Sequence, residues 1–224
     1  MSQSKEEQLR WAAFGGRLEA VKSLATDPAI KINGNEGEAS IFFVACVAGD
    51  AGVVEYLLSL KEVDPIKPNK DGTSPFFMAC ILGHKEVVSL LLADPRIDPN
   101  QRANNVFTPL WYATKKGYLG IVQRLLASKR NIDTKFISRM DNTTAAEHGR
   151  ATGARTTKVA DEEEEEFQRM KTCGPLCADL IDAYEKDPAK IRSLMRELQE
   201  RDTLVSSLVA RKDAFPSMIL ALPL

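Results

Sequence analysis

Histidine occurs only twice in this chain and cysteine four times, which leaves little with which to build a metal centre. His84 and His148 are far apart. Cys173 and Cys177 are spaced to share a helix face, but no second pair completes a tetrahedral set, so a zinc site is weakly supported. A phosphate-cradling glycine loop is missing, as is a Gly-x-Ser-x-Gly elbow, and Glu147-His148 is an isolated acid–imidazole pair. The expectation is therefore no enzyme, no cofactor and no bound metal. Long apolar runs are missing too. Nothing approaches the roughly 18 residues of a membrane span, and residues 1–10 are polar and charged rather than signal-like. These absences favour a cytoplasmic protein, compatible with the nucleus and not secreted, which makes the Asn142-Thr143-Thr144 sequon silent.

What the chain has is a sentence written three times, 34 residues apart. Gly49, Gly83 and Gly117 each precede an apolar pair at constant offset: Val53-Val54, Val87-Val88 and Ile121-Val122. Leu57-Leu58, Leu91-Leu92 and Leu125-Leu126 follow. Weaker copies surround Gly16, with Val21 and Leu24, and Gly153, with Thr144, Ala145 and Ala146. Such a period means stacked supersecondary units that build extended binding surfaces rather than catalytic pockets. Cys46 and Cys80 occupy equivalent places in neighbouring units, about 10 Å apart by helix packing and too far to bridge.

Each unit reads as two short antiparallel helices. Asp71-Gly72 signals a turn, Ser74 can cap free N–H groups, and Pro75 suits a first helical turn. The first helix is expected over Pro75–Leu82, ending at Gly83. The second begins near Lys85, carries Val87, Val88, Leu90, Leu91 and Leu92, and ends at Asp94-Pro95, because the residue before proline disfavours helix. Neither helix can bury its apolar stripe alone.

The run Thr73-Ser74-Pro75-Phe76 with Ala79-Cys80, then Gly83-His84-Lys85-Glu86-Val87-Val88, resembles the ankyrin repeat, as does Thr108-Pro109-Leu110 with Ala113 and Gly117. The resemblance covers residues 3–160. It implies an all-α solenoid of stacked helix pairs with hairpin-like finger loops, used to bind proteins. Full repeats are expected near 36–69, 70–103 and 104–139, with caps near 3–35 and 141–160. Leu9, Ala12, Ala13 and Val21 form the first cap. After Gly153 the offsets that should be apolar hold Thr157 and Lys158, so the last cap reads as polar with a loosely docked final helix. Phe43, Phe77 and Trp111 stand where the family usually has histidine and are expected to pack between repeats.

The resemblance also assigns a concave face, formed by the first helices and the finger tips. Projected onto this chain, the partner-binding positions are Val47, Ala48, Lys70, Asp71, Thr73, Ile81, Leu82, Asn104, Asn105, Phe107, Lys115 and Lys116. Val47, Ile81 and Leu82 would form an apolar strip bordered by the two lysines, or else pack on their own finger loops.

Charge is segregated. Residues 101–160 carry eleven basic and three acidic side chains, a field that steers acidic partners. The expected ligand is therefore an acidic or phosphorylated protein. Nucleic acid is the weaker fit, because the first hundred residues are net acidic and no nucleic-acid motif is present. Residues 161–166 are six consecutive acids, read as a linker that could fold back over the basic face. Beyond, 167–224 reads as a helical extension. Gly174-Pro175 is expected to open a helix lined by Cys177, Leu180, Ile181 and Tyr184. Asp187-Pro188 would open a second, lined by Ile191, Leu194, Met195 and Leu198, ahead of an apolar tail at 215–224. A monomer is favoured; the alternative is a structural component that self-associates through these C-terminal helices.

Overall fold

The computed structural model describes residues 4–34, 38–102, 106–154, 164–197 and 200. The described secondary structure is helical throughout: α1 Lys5–Phe14, α2 Leu18–Ala25, α3 Ile41–Ala48, α4 Ala51–Ser59, α5 Pro75–Leu82, α6 Lys85–Ala93, α7 Pro109–Lys115, α8 Leu119–Ala127, α9 Ala145–Gly153 and α10 Glu164–Lys186. A further helix, α11, starts at 188 and runs through 197. First helices stack in the order α1, α3, α5, α7, α9, and second helices in the order α2, α4, α6, α8, α10.

Every first helix starts on a hydroxyl cap. Ser40, Ser74 and Thr108 accept from the backbone N–H of Phe43, Phe77 and Trp111 at 3.0, 3.2 and 3.2 Å. Ser4 and Thr144 go further and form reciprocal capping boxes with Glu7 and Glu147. Gly49 and Gly83 end their helices at φ +81° and +84°, a conformation side chains resist. The bounds of α5 and α6 match those expected from sequence.

One core runs the length of the stack. Val53, Val54, Leu57, Val87, Val88, Leu91, Val122 and Leu125 are fully buried, and so are Cys46 and Cys80. Phe43, Phe77 and Trp111 are buried as well, so the aromatic ladder is packing between repeats. The finger-side loops are tied in register by asparagine. Asn33 donates to the Glu62 carbonyl and accepts from the Asp64 N–H, at 2.7 and 2.8 Å. Asn100 does the same with Asn131 and Asp133, at the same distances.

The C-terminal end departs from the expectation in two ways. First, α10 does not open at Gly174-Pro175; it is already helical from Glu164, and both residues lie inside it. Proline there removes the bond to the Lys171 carbonyl. The helix continues because its apolar face is bought into the stack by Phe167, Met170, Cys177, Ala178, Ile181 and Tyr184, all buried against α7, α8 and α9. Second, Glu164, Glu165 and Glu166 form the first turn of α10, at the positive end of its dipole, where carboxylates are stabilising. Residues 161–163 lie outside the described part, as do Thr157 and Lys158.

The glycine register identifies what α10 is. In each repeat one residue lies over the glycine of the repeat before it. Asp50 lies over Gly16, His84 over Gly49 and Tyr118 over Gly83, 34 or 35 residues later. Over Gly117 the covering residues are Arg169 and Met170 of α10, some 52 residues later. Thus α10 occupies the second-helix place of the final repeat, delayed by an insertion that includes the undescribed 155–163. In α11, Met195 is buried and Ile191 half-buried, whereas Leu194 is exposed rather than part of the lining; Leu198 and 215–224 lie outside the described residues.

Candidate functional site

The first helices expose two parallel rows of side chains. Counting back five residues from each glycine gives Trp11, Val44, Met78 and Tyr112; counting back two gives Phe14, Val47, Ile81 and Lys115. All eight are half-buried or exposed, although they sit on helices whose other faces are fully buried. Leu82, one step further on, is 40 % exposed, and Trp11 and Phe14 are 57 % and 54 % exposed. Their rings meet edge to face at 6.3 Å. Arg10, Trp11, Phe14 and Val44 together line an apolar hollow of about 250 Å³. Contiguous exposed apolar surface of this kind is the usual mark of an interaction site.

The twelve positions projected from sequence fall in different settings. Val47, Ala48 and Ile81 are half-buried and Leu82 is exposed, all on one side of α3 and α5. Lys70 and Asp71 are exposed at a finger tip. Thr73 is buried; its N–H donates to Asn69 Oδ1 at 2.9 Å and its carbonyl accepts from the Asn69 N–H at 3.0 Å, so it serves the turn and is withdrawn from the face. Asn104 and Asn105 lie outside the described residues. Phe107 stacks on Trp111 at 4.5 Å. The Lys115 ammonium lies 5.5–5.7 Å from the ring centres of Trp111, Phe107 and Tyr112, a cation held over aromatic faces at the end of the strip.

Lys116 is a different case. Its ammonium is paired with Glu166 of α10, and its carbonyl accepts from Arg169 Nε at 3.0 Å. Burial would depress this amine, but the hydrogen bond and charge of Glu166 outweigh it and hold the lysine above its ordinary value. Lys116 is therefore occupied by the chain's own acidic run. Arg169 lies over the Tyr118 ring at 4.9 Å and completes this clasp.

Trp11, Phe14, Val44 and Met78 are not among the positions projected from sequence. Their signal was present: each sits at a fixed distance before a repeat glycine, and the five-back row is apolar or aromatic in every unit. Val47 and Ile81 belong to the two-back row, with Leu82 one step beyond it; the five-back row and the N-terminal cap lie outside the projected positions.

Chemistry of other kinds finds little footing. Burial drives the Cys46 and Cys80 thiols up and pushes Cys177 up to about 12, with the nearby Cys173 adding to the latter. These are inert side chains in a core. Among the described residues no group of three metal-binding side chains is gathered, and no helix is long and apolar enough to cross a membrane. The imidazole of His84 is structural: its Nε2 lies 2.9 Å from the Val47 carbonyl and its ring covers Gly49.

Ankyrin repeats, in three copies, match residues 9–103 and 41–138, more than half of the chain. No curated protein matches it. Ankyrin repeats generally mediate protein–protein interaction and are typically not enzymes. With capped helix pairs at a 34-residue period and matched repeats across 9–138, the chain belongs to the ankyrin-repeat family.

Proposed function

We propose that this protein is a non-catalytic binding module that grips a protein partner along its first-helix face. The observation that carries the reading is the double row from Trp11 and Phe14 to Tyr112 and Lys115, which keeps large apolar groups accessible in four successive repeats. A partner segment with apolar side chains would lie along the strip, with an acidic group near Lys115. The aromatic faces below Lys115 hold its charge at the strip's end rather than letting it sweep through solvent. Lys116 contributes to this ligand only if Glu166 yields it. The unpaired, buried thiols of Cys46, Cys80 and Cys177 suit a reducing compartment, in keeping with a cytoplasmic or nuclear site of action.

Self-association through α10 draws no support from packing, because its apolar face is consumed by α7, α8 and α9; the tail at 215–224 lies outside the described residues. The test is capture of partners from native lysate by the intact chain and by a Val47→Asp, Ile81→Asp variant whose thermal melt matches the parent. Partners lost from the variant alone support the first-helix face. Equal recovery by both sinks it.

A further inference from the structure

The described basic residues of 101–160 do not gather where the strip is. Lys115 is over rings, Lys116 is bound to Glu166, and Arg150 is paired with Asp182 at 2.6 Å. On the opposite side of the stack, where the second helices lie, Arg124, Lys129 and Arg130 converge with Arg196 of α11 around a cleft of about 520 Å³. Its floor is apolar, made by Leu92, Ala93, Pro95 and Ala127, and no carboxylate is among its described lining residues. The adjacent Asp94 carboxylate is engaged by Arg96 at 2.6 Å.

Two of the four cations are held in place before any ligand arrives. Arg124 donates to Ser89 Oγ at 2.6 Å and to the Gly120 carbonyl at 3.1 Å. Arg130 donates to the carbonyls of Asp94, at 3.0 Å, and of Ile97. These bonds fix the guanidinium planes through groups that carry no full charge; Arg130 also feels the Asp94 carboxylate, whose main partner is Arg96. Arg192 donates to the Arg130 carbonyl at 3.3 Å and ties α11 to the cleft. Among the described residues Lys129 has no ion-pair partner, and the Arg196 guanidinium donates to the Arg192 carbonyl at 3.1 Å. Four like charges around one hollow repel one another, and a group carrying close to two negative charges relieves this better than a single carboxylate does.

We propose that this cleft between α6, α8 and α11 is a second binding site, for a phosphorylated serine carried on a protein segment. The phosphate would lie among Arg124, Lys129, Arg130 and Arg196, and the residues flanking it would rest on Leu92, Pro95 and Ala127. The apolar floor favours a peptide over a bare anion. Of the large exposed apolar side chains, Trp11 and Phe14 lie on the first-helix side, whereas Leu194 lies on α11, two residues from Arg196. This site is independent of the first-helix strip and stands or falls without it.

The test uses the full chain with two immobilised degenerate peptide libraries, identical except for a central phosphoserine or serine. The intact protein should prefer the phosphoserine library about tenfold at near-physiological salt. A Lys129→Glu, Arg196→Glu variant should lose that preference with its thermal melt unchanged. A Lys135→Glu, Arg139→Glu control makes the same charge change at exposed residues outside the cleft and should keep it. The proposal is overturned if the intact chain holds both libraries equally, if the cleft variant keeps the preference, or if the control loses as much. It is overturned too if vesicles of phosphatidylcholine with 5 % phosphatidylinositol bisphosphate retain the protein and the phosphoserine library fails to displace it.

Discussion

Gly149 of α9 and Gly174 of α10 bring two helix backbones into direct contact: a β-carbon on Gly149 would stand 2.5 Å from the Gly174 carbonyl oxygen, and one on Gly174 would stand 2.9 Å from the Gly149 oxygen. Gly153, one turn on, leaves room for Pro175, whose ring a β-carbon would strike at 2.2 Å. The Arg150–Asp182 pair bridges the same two helices nearby. These glycines let a helix from beyond the insertion take the final place in the stack.

A Gly149→Ala change should therefore destabilise the protein, by about 1–3 kcal/mol, because backbone cannot move aside as a side chain would. The sign is the informative part. At an exposed helical site the same change stabilises by roughly 0.5–1 kcal/mol. A urea titration of the purified variant reads it, and a stabilised protein would contradict the α9–α10 contact.

Leu91 is fully buried between α6 and its neighbours. Leu91→Ala should cost about 2–5 kcal/mol through lost burial and the cavity left behind. An unchanged thermal midpoint would break the repeat register on which the helix assignments rest.

The Lys116–Glu166 pair should hold the first turn of α10 against α7. Both side chains are about a quarter exposed, at 24 % and 25 %, so Glu166→Gln should cost no more than about 1 kcal/mol overall. Amide exchange in the first turn of α10 should quicken, and quicken less at high salt, where the parent pair is already screened. Because Lys116 is raised above 10.5 in the folded protein, its contribution is complete below that value and is lost as pH climbs through the folded value.

Thiol labelling should separate the cysteines. Cys173 is half-buried, whereas Cys46, Cys80 and Cys177 are buried. An aromatic disulfide reagent at pH 8 should modify Cys173 first and the other three only on unfolding. Cys177 is raised from 9.0 to about 12, so the stability tied to its neutral form is complete below pH 9.0 and is lost as pH rises towards about 12. Rapid modification of all four thiols in the native protein would contradict the packing of α10.

Much of the fold was legible because repeats state their rules more than once. Ser40, Ser74 and Thr108 occupy one place in the period, cap with one geometry and precede helices of near-equal length. The buried pairs Val53-Val54, Val87-Val88 and Ile121-Val122, and the buried Leu57, Leu91 and Leu125, follow at constant offset. The face was half legible. Val47, Ile81 and Leu82 were projected from the ankyrin resemblance and stand half-buried or exposed, whereas Trp11 and Phe14, exposed too, lie in a cap whose sequence is degenerate and whose helix is polar on average.

The sequence by itself determined that this chain is a stack of helix pairs, because a hydrophobic pattern with a 34-residue period has no other way to bury both faces of each unit. Tertiary structure alone decided how the stack ends and where its charge goes. Thr157 and Lys158 occupy the offsets where the period puts the last second helix, and 161–166 read as a solvated acidic linker, yet α10 begins inside that run. It reaches the final place because Gly149, Gly153 and Gly174 permit close approach while Met170, Cys177 and Ile181 have nowhere else to bury. That docking takes Lys116 out of the first-helix face and, through Arg192 and α11, sets Arg196 beside Arg124 and Arg130. Residues separated by more than sixty positions become neighbours only when the chain has packed, and no local spacing encodes it.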